Sequence, residues 1–149
     1  MNNENSFERE HEHSMLYRTM MTGLFVGIID TVICLAYNIF YRGITGFIPS
    51  ALINVSSLIF GVNLVLLIVG VIYYFFKKNL GRGDILFSVV FLLVTIFLAV
   101  KTELITRFSD FKLDHAFRGL LLGIVLICGI SAAGLPLLYR NRKFEEFAL

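Results

Sequence analysis

The sequence predicts an all-α membrane protein, a polytopic bundle of four transmembrane helices with both termini on the cytoplasmic side. Hydrophobic residues make up 57% of the 149-residue chain, charged residues only 16%, and the mean hydropathy is +0.79. Such values lie outside the range of soluble domains. The apolar residues form four runs, each suited to cross a hydrocarbon core about 30 Å thick as a helix. Runs such as residues 64–69 do not alternate between apolar and polar residues, as the strands of a membrane barrel would.

The four apolar runs divide the chain into a leader, a membrane domain and a tail. Residues 1–14 form a polar, acidic leader, residues 15–140 the transmembrane domain, and residues 141–149 a cytoplasmic tail. The predicted spans are 17–40, 49–76, 84–104 and 115–139. Ser14 is suited to cap the first helix. Pro49 is suited to the first turn of the second helix, where the N–H that proline lacks would be unpaired.

The distribution of basic residues predicts the orientation. Lysine and arginine are enriched in cytoplasmic loops. The leader, the second link and the tail carry eight of them, against five in the first and third links and at their helix ends. This bias places both termini in the cytoplasm and is typical of a bacterial-type inner membrane protein. The net charge of +2 is explained by topology, so no nucleic-acid partner is expected, and the lipid bilayer is the first partner.

A carboxylate lies near the centre of the first span. At about 1.5 Å per residue, Asp30 lies about 16 Å from both Thr19 and Tyr41. An ionised carboxylate at that depth costs at least ~2.5–3.5 kcal/mol, so it should face protein or water and not lipid. Gly23, Gly27, Cys34 and Asn38 share its helix stripe, because they recur in steps of three and four.

The second span offers two amides that could meet this stripe. An amide in hydrocarbon requires a partner on a neighbouring helix. If the first two helices are antiparallel, Asn63 matches Asp30 in depth and Asn54 lies nearer Asn38. These four residues are the candidate intramembrane polar site, and two roles are open. The site is a structural helix contact, or it binds and releases a proton.

Glycines predict close helix contacts. Gly23 and Gly27 are four residues apart, as are Gly119 and Gly123, and a small residue at each fourth position permits close approach of a second helix. Gly61 is the candidate on the second helix.

The charged third link predicts a docking surface. It alternates charged residues with apolar ones, as a segment that binds a partner or the interface does. Asp114 and Arg118 are four residues apart and can form an ion pair on the fourth helix. The docking candidates are Arg107, Asp110, Asp114, His115 and Arg118.

The residues present predict no catalytic site. The only histidine near a span is His115, at the edge of the fourth, so none lies at membrane depth to ligate haem or to activate a serine. The chain has no H-E-x-x-H motif or glycine-rich phosphate loop. Cys34 and Cys128 fall inside apolar runs, so we expect buried free thiols. No metal or cofactor is predicted. We expect a non-catalytic accessory or assembly subunit of a larger membrane complex. The alternative is a small homodimeric proton- or ion-coupled transporter that uses Asp30.

Overall fold

The computed structural model describes residues 2–46, 53–105 and 111–141, and it is all-helical. The four helices are α1 (Asn2–Thr45), α2 (Val55–Asn79), α3 (Gly83–Glu103) and α4 (Phe111–Tyr139). All four are long and apolar enough to cross a membrane, with Ser14–Thr45 forming the candidate span of α1. The predicted fold class is confirmed to this extent.

Two predicted helix starts were wrong. Residues before Ser14 are already helical, so Ser14 lies within α1 and does not cap it. Pro49 lies outside the described residues, and α2 begins at Val55. The reason is a capping box. The Asn54 side chain accepts a hydrogen bond from Ser57 N at 2.8 Å, and Ser57 Oγ accepts one from Asn54 N at 3.0 Å. These bonds satisfy N–H groups that have no partner within the helix, which fixes the start of α2.

A tight turn joins α2 to α3. Leu80 N donates to Phe76 O at 3.1 Å, and Gly83 N donates to Leu80 O at 3.0 Å. A Cβ atom at Gly83 would collide with the backbone of Phe76 and Lys77. Only glycine therefore permits α3 to begin so close to the end of α2.

The helices form a bundle in which each packs against its neighbours in chain order, and α4 closes the ring against α1. Within the described residues α1 and α3 make no contact, whereas α2 and α4 meet across the centre. Large apolar side chains are exposed on all four helices. That surface suits a hydrocarbon solvent, since lipid offers no penalty to exposed leucine or phenylalanine.

The backbones of α1 and α2 approach each other closely. A Cβ atom at Gly23 would lie 2.5 Å from Leu66 O, and one at Gly70 would lie 2.7 Å from Thr19 O. The two backbones touch at this level, and the pairing of early α1 with late α2 shows that the helices are antiparallel. Gly23 and Gly27 both face α2, as the spacing predicts.

An aromatic cluster closes the end of the bundle where α2 turns into α3. Tyr73 is fully buried, with ring centroids 5.0 Å from Phe87 and 5.4 Å from Tyr139. Its hydroxyl donates to Asp84 Oδ1 at 2.7 Å, and Lys77 Nζ lies 3.4 Å from the same oxygen. One tyrosine therefore ties α2 to both α3 and α4.

Candidate functional site: a buried carboxylate between helices 1 and 4

The Asp30 side chain lies inside the bundle, as predicted, at 1% exposure. Its partner is on α4: Ser131 Oγ donates to Asp30 Oδ1 at 2.7 Å. The prediction that Asp30 contacts an amide of α2 was therefore wrong. The reason is helix rotation. The polar stripe of α1 from Asp30 onward faces α4, while the glycines before it face α2.

Two thiols extend this polar contact by one turn. Cys34 is fully buried on α1, and its thiol lies close to Cys128 on α4. Both cysteines are free. Asp30, Cys34, Cys128 and Ser131 thus form one cluster, which we call the α1–α4 polar cluster. Thiols and a serine hydroxyl are neutral hydrogen-bonding groups, so the cluster pairs the carboxylate with neutral neighbours.

Two buried oxygen atoms near this cluster have no hydrogen-bond partner among the described residues. They are Asp30 Oδ2 and Asn38 Oδ1. Both side chains are at least nine-tenths buried, and they lie eight residues apart on the same face of α1. At 1.5 Å per residue that separation is about 12 Å. Buried polar atoms are usually paired, so each of these oxygens is a place for a further donor.

The two amides of α2 have other roles than the sequence predicted. Asn54 forms the capping box at the start of α2 and is used locally. Asn63 Nδ2 donates to Thr31 Oγ1 and to Ile59 O, both at 2.8 Å. Gly27 provides the space, because a Cβ there would lie 3.1 Å from Asn63 Oδ1. Asn63 matches the depth of Asp30, but its hydrogen-bond partner on α1 is Thr31, the residue after Asp30.

The predicted packing glycines divide into two groups. Gly119 and Gly123 lie against the rings of Tyr41 and Tyr37, where a Cβ atom would overlap the ring atoms. Tyr37 Oη also donates to Gly119 O at 3.0 Å. These glycines therefore receive aromatic rings and not a helix backbone. Gly61 was predicted wrongly, since a Cβ atom there would meet nothing within 4 Å.

The five docking candidates differ in their surroundings. Arg107 and Asp110 lie outside the described residues. Asp114 is buried and forms the predicted ion pair with Arg118. Arg118 Nη1 also donates to Glu103 O at 2.8 Å, which joins the end of α3 to the start of α4.

His115 remains exposed on the first turns of α4. Its ring stacks on Phe111 with an interplanar angle of 4° and a centroid distance of 6.3 Å. Phe111 itself is 83% exposed. This stacked pair presents an aromatic and titratable surface at the end of the bundle opposite the aromatic cluster.

The sequence interpretation missed Ser131 and Tyr37. Ser131 had a signal, because its hydroxyl interrupts the apolar run of the fourth span eight residues before the end of that span. No sequence signal distinguishes Tyr37 from an interfacial tyrosine. No family model, curated protein or solved structure matches this chain.

Proposed function

We propose that this protein is a non-catalytic membrane subunit or assembly factor of a larger membrane complex. The observation that carries the proposal is the state of Asp30. The carboxylate is 1% exposed, is bonded to Ser131 on the neighbouring helix α4, and has two thiols beside it. A carboxylate held in this way stabilises the packing of α1 on α4.

The α1–α2 interface supports the same role. Gly23 and Gly70 bring the two backbones into direct contact, and Asn63 bonds Thr31 one helical turn beyond Gly27. Alternating access usually requires one group of helices to rock against another. A close backbone contact of this kind resists rocking and favours a fixed scaffold.

A docking surface suited to a partner lies on the first turns of α4. Phe111 and His115 are stacked and exposed, and Lys112 between them is exposed as well. Aromatic residues are enriched where proteins bind each other. Asp114 and Arg118, by contrast, stabilise the junction of α3 and α4.

The second candidate is a homodimeric proton- or ion-coupled transporter. The observation that favours it is the buried Asp30 Oδ2, which has no hydrogen-bond partner among the described residues. A carboxylate oxygen in that state is a site for a proton. Intramembrane acidic residues are often part of proton relays.

Substitution of Asp30 separates the two candidates. Asp30→Asn keeps an oxygen that accepts from Ser131, so we expect a subunit carrying it to assemble and support growth like wild type. Asp30→Leu removes the acceptor and should weaken the bundle by about 0.6–1.7 kcal/mol, the range of intramembrane hydrogen bonds. Ser131→Ala is the matched control and should resemble Asp30→Leu in stability. The measurements are copurification after gentle extraction, and growth.

A well-assembled but inactive Asp30→Asn protein would overturn the subunit proposal, because asparagine cannot release a proton. Isolation of wild type as a homodimer without other proteins would count against it as well. The subunit proposal would be supported if the Asp30→Asn protein copurified with a larger complex and the Asp30→Leu protein did not.

We also propose that both ends of the chain and the α2–α3 turn face the cytoplasm. The basic residues Lys77, Lys78 and Arg82 lie at this turn, directly after the aromatic residues of α2. Single cysteines at Lys78 and Lys112, in a background with Cys34→Ala and Cys128→Ala, should react differently with an impermeant thiol reagent. Position 112 should react in intact cells, and position 78 only after lysis. Equal reaction in intact cells would refute this orientation.

A further inference from the structure

An apolar cavity of about 360 Å³ lies between α2 and α3, with α4 as its floor. We call it the α2–α3 groove. Its lining extends from Val69 and Phe91 to Ser57 and Leu98. Val69 is buried at 5% exposure, whereas Leu98 is 46% exposed. Its outer rim is exposed: Val65 on α2 is 50% accessible.

The polar groups that line the α2–α3 groove are already used. Thr95 Oγ1 donates to Phe91 O at 2.7 Å, and Ser57 Oγ bonds the backbone of Asn54. The Cys128 thiol lies beside Cys34. The walls therefore favour a hydrocarbon occupant, because the polar groups of any other occupant would find no hydrogen-bond partner there.

The size of the groove suits a small occupant. Along α2 it extends about 18 Å from Ser57 to Val69. Its volume of about 360 Å³ lies within the range of about 300–1,000 Å³ for small-molecule sites. A single hydrocarbon chain is narrow enough to enter.

A cation follows Leu98 on α3, one turn beyond the lining of the groove. Lys101 follows Leu98 by three residues, so it continues the face of α3 that lines the groove. It is exposed, lies 5.5 Å from the centroid of the Phe97 ring, and has no acidic partner within the described residues. Lysine at the end of a membrane helix extends towards the headgroup region. An anionic headgroup would complement its charge.

We infer that the α2–α3 groove binds one acyl chain of an anionic phospholipid, with the phosphate on Lys101. The second acyl chain remains in the bilayer, because the groove is open along its outer rim. The bilayer surrounds this rim and presents phospholipid at high concentration. The inference does not depend on the proposed subunit role.

The test is native mass spectrometry of the whole protein in detergent with added phosphatidylglycerol or phosphatidylcholine of identical chains. We expect one phosphatidylglycerol to bind saturably to wild type. Gly61→Phe places a ring in the groove at a position where a Cβ meets nothing within 4 Å, and it should weaken binding at least tenfold. Val32→Phe on the exposed face of α1 is the matched control and should bind normally.

The headgroup contact is tested separately. Lys101→Gln should reduce the preference for phosphatidylglycerol over phosphatidylcholine by about fivefold, the effect of one surface charge. Arg82→Gln, an exposed charge at the opposite end of the bundle, should leave the preference unchanged. Val65→Phe serves as a second groove-filling variant if Gly61→Phe unfolds.

Three results would overturn the inference. The first is lipid binding that rises linearly without saturation, or that is equal in wild type and both groove-filling variants. The second is saturable binding of palmitate with none of phosphatidylglycerol, which would assign the site to a free fatty acid. The third is loss of a copurifying protein from Gly61→Phe with no loss of lipid, which would assign the groove to a protein helix.

Discussion

Replacing Gly23 with alanine should destabilise the bundle, while the same change at Gly61 should not. The new methyl group at Gly23 would lie 2.5 Å from Leu66 O and 3.1 Å from Gly70 Cα, so α1 and α2 must separate. Overpacking of this kind costs about 1–3 kcal/mol. At Gly61 the methyl group meets nothing within 4 Å, and the higher helix propensity of alanine is worth up to about 1 kcal/mol. The measurement is the free energy of unfolding in mixed micelles.

Gly70→Ala tests the same contact from the other helix. Its methyl group would lie 2.7 Å from Thr19 O, so it should destabilise to a similar degree. Once one substitution has separated the helices, the other costs less. The double variant should therefore be less destabilised than the sum of the single variants, as expected for neighbouring sites. Equal stability of the Gly23→Ala and Gly61→Ala proteins would refute the close contact.

Removal of the Tyr73 ring should have the largest effect of any single side chain at the α2–α3 end. The side chain is fully buried and contacts Phe87 and Tyr139. Truncation of a large buried aromatic to alanine costs about 3–5 kcal/mol, so Tyr73→Ala should lower the free energy of unfolding by that order. Phe75→Ala on the same helix is the matched control and should be nearly neutral, because Phe75 is 55% exposed.

Tyr73→Phe separates the ring from its hydroxyl. This variant keeps the ring contacts and removes only the hydrogen bond to Asp84. A hydrogen bond to a charged group contributes about 1.5–3 kcal/mol, and Lys77 still pairs with the same carboxylate. We therefore expect a loss between those of Phe75→Ala and Tyr73→Ala. A Tyr73→Ala protein as stable as the Phe75→Ala protein would show that the aromatic cluster does not hold this end together.

The fold class and the local features follow from the amino-acid sequence. Long apolar runs predict spans because the solvent is hydrocarbon and each span must satisfy its own backbone. The ion pair of Asp114 with Arg118 was predictable because four residues bring two side chains together on any helix. The inward position of Asp30 was predictable as well, since burial of a carboxylate in protein costs less than exposure to lipid.

Which groups meet depends on how the four helices pack. Asp30 and Ser131 are 101 residues apart, and their contact depends on the rotation of α1 against α4, which the stripe of α1 does not specify. The Asn54 amide can form either a helix cap or an interhelical hydrogen bond. Because α2 starts at Val55, Asn54 forms the cap. Gly70 meets α1 while Gly61 meets nothing. Helix periodicity defines the face on which a glycine lies, but only the packed bundle determines which face has a neighbour.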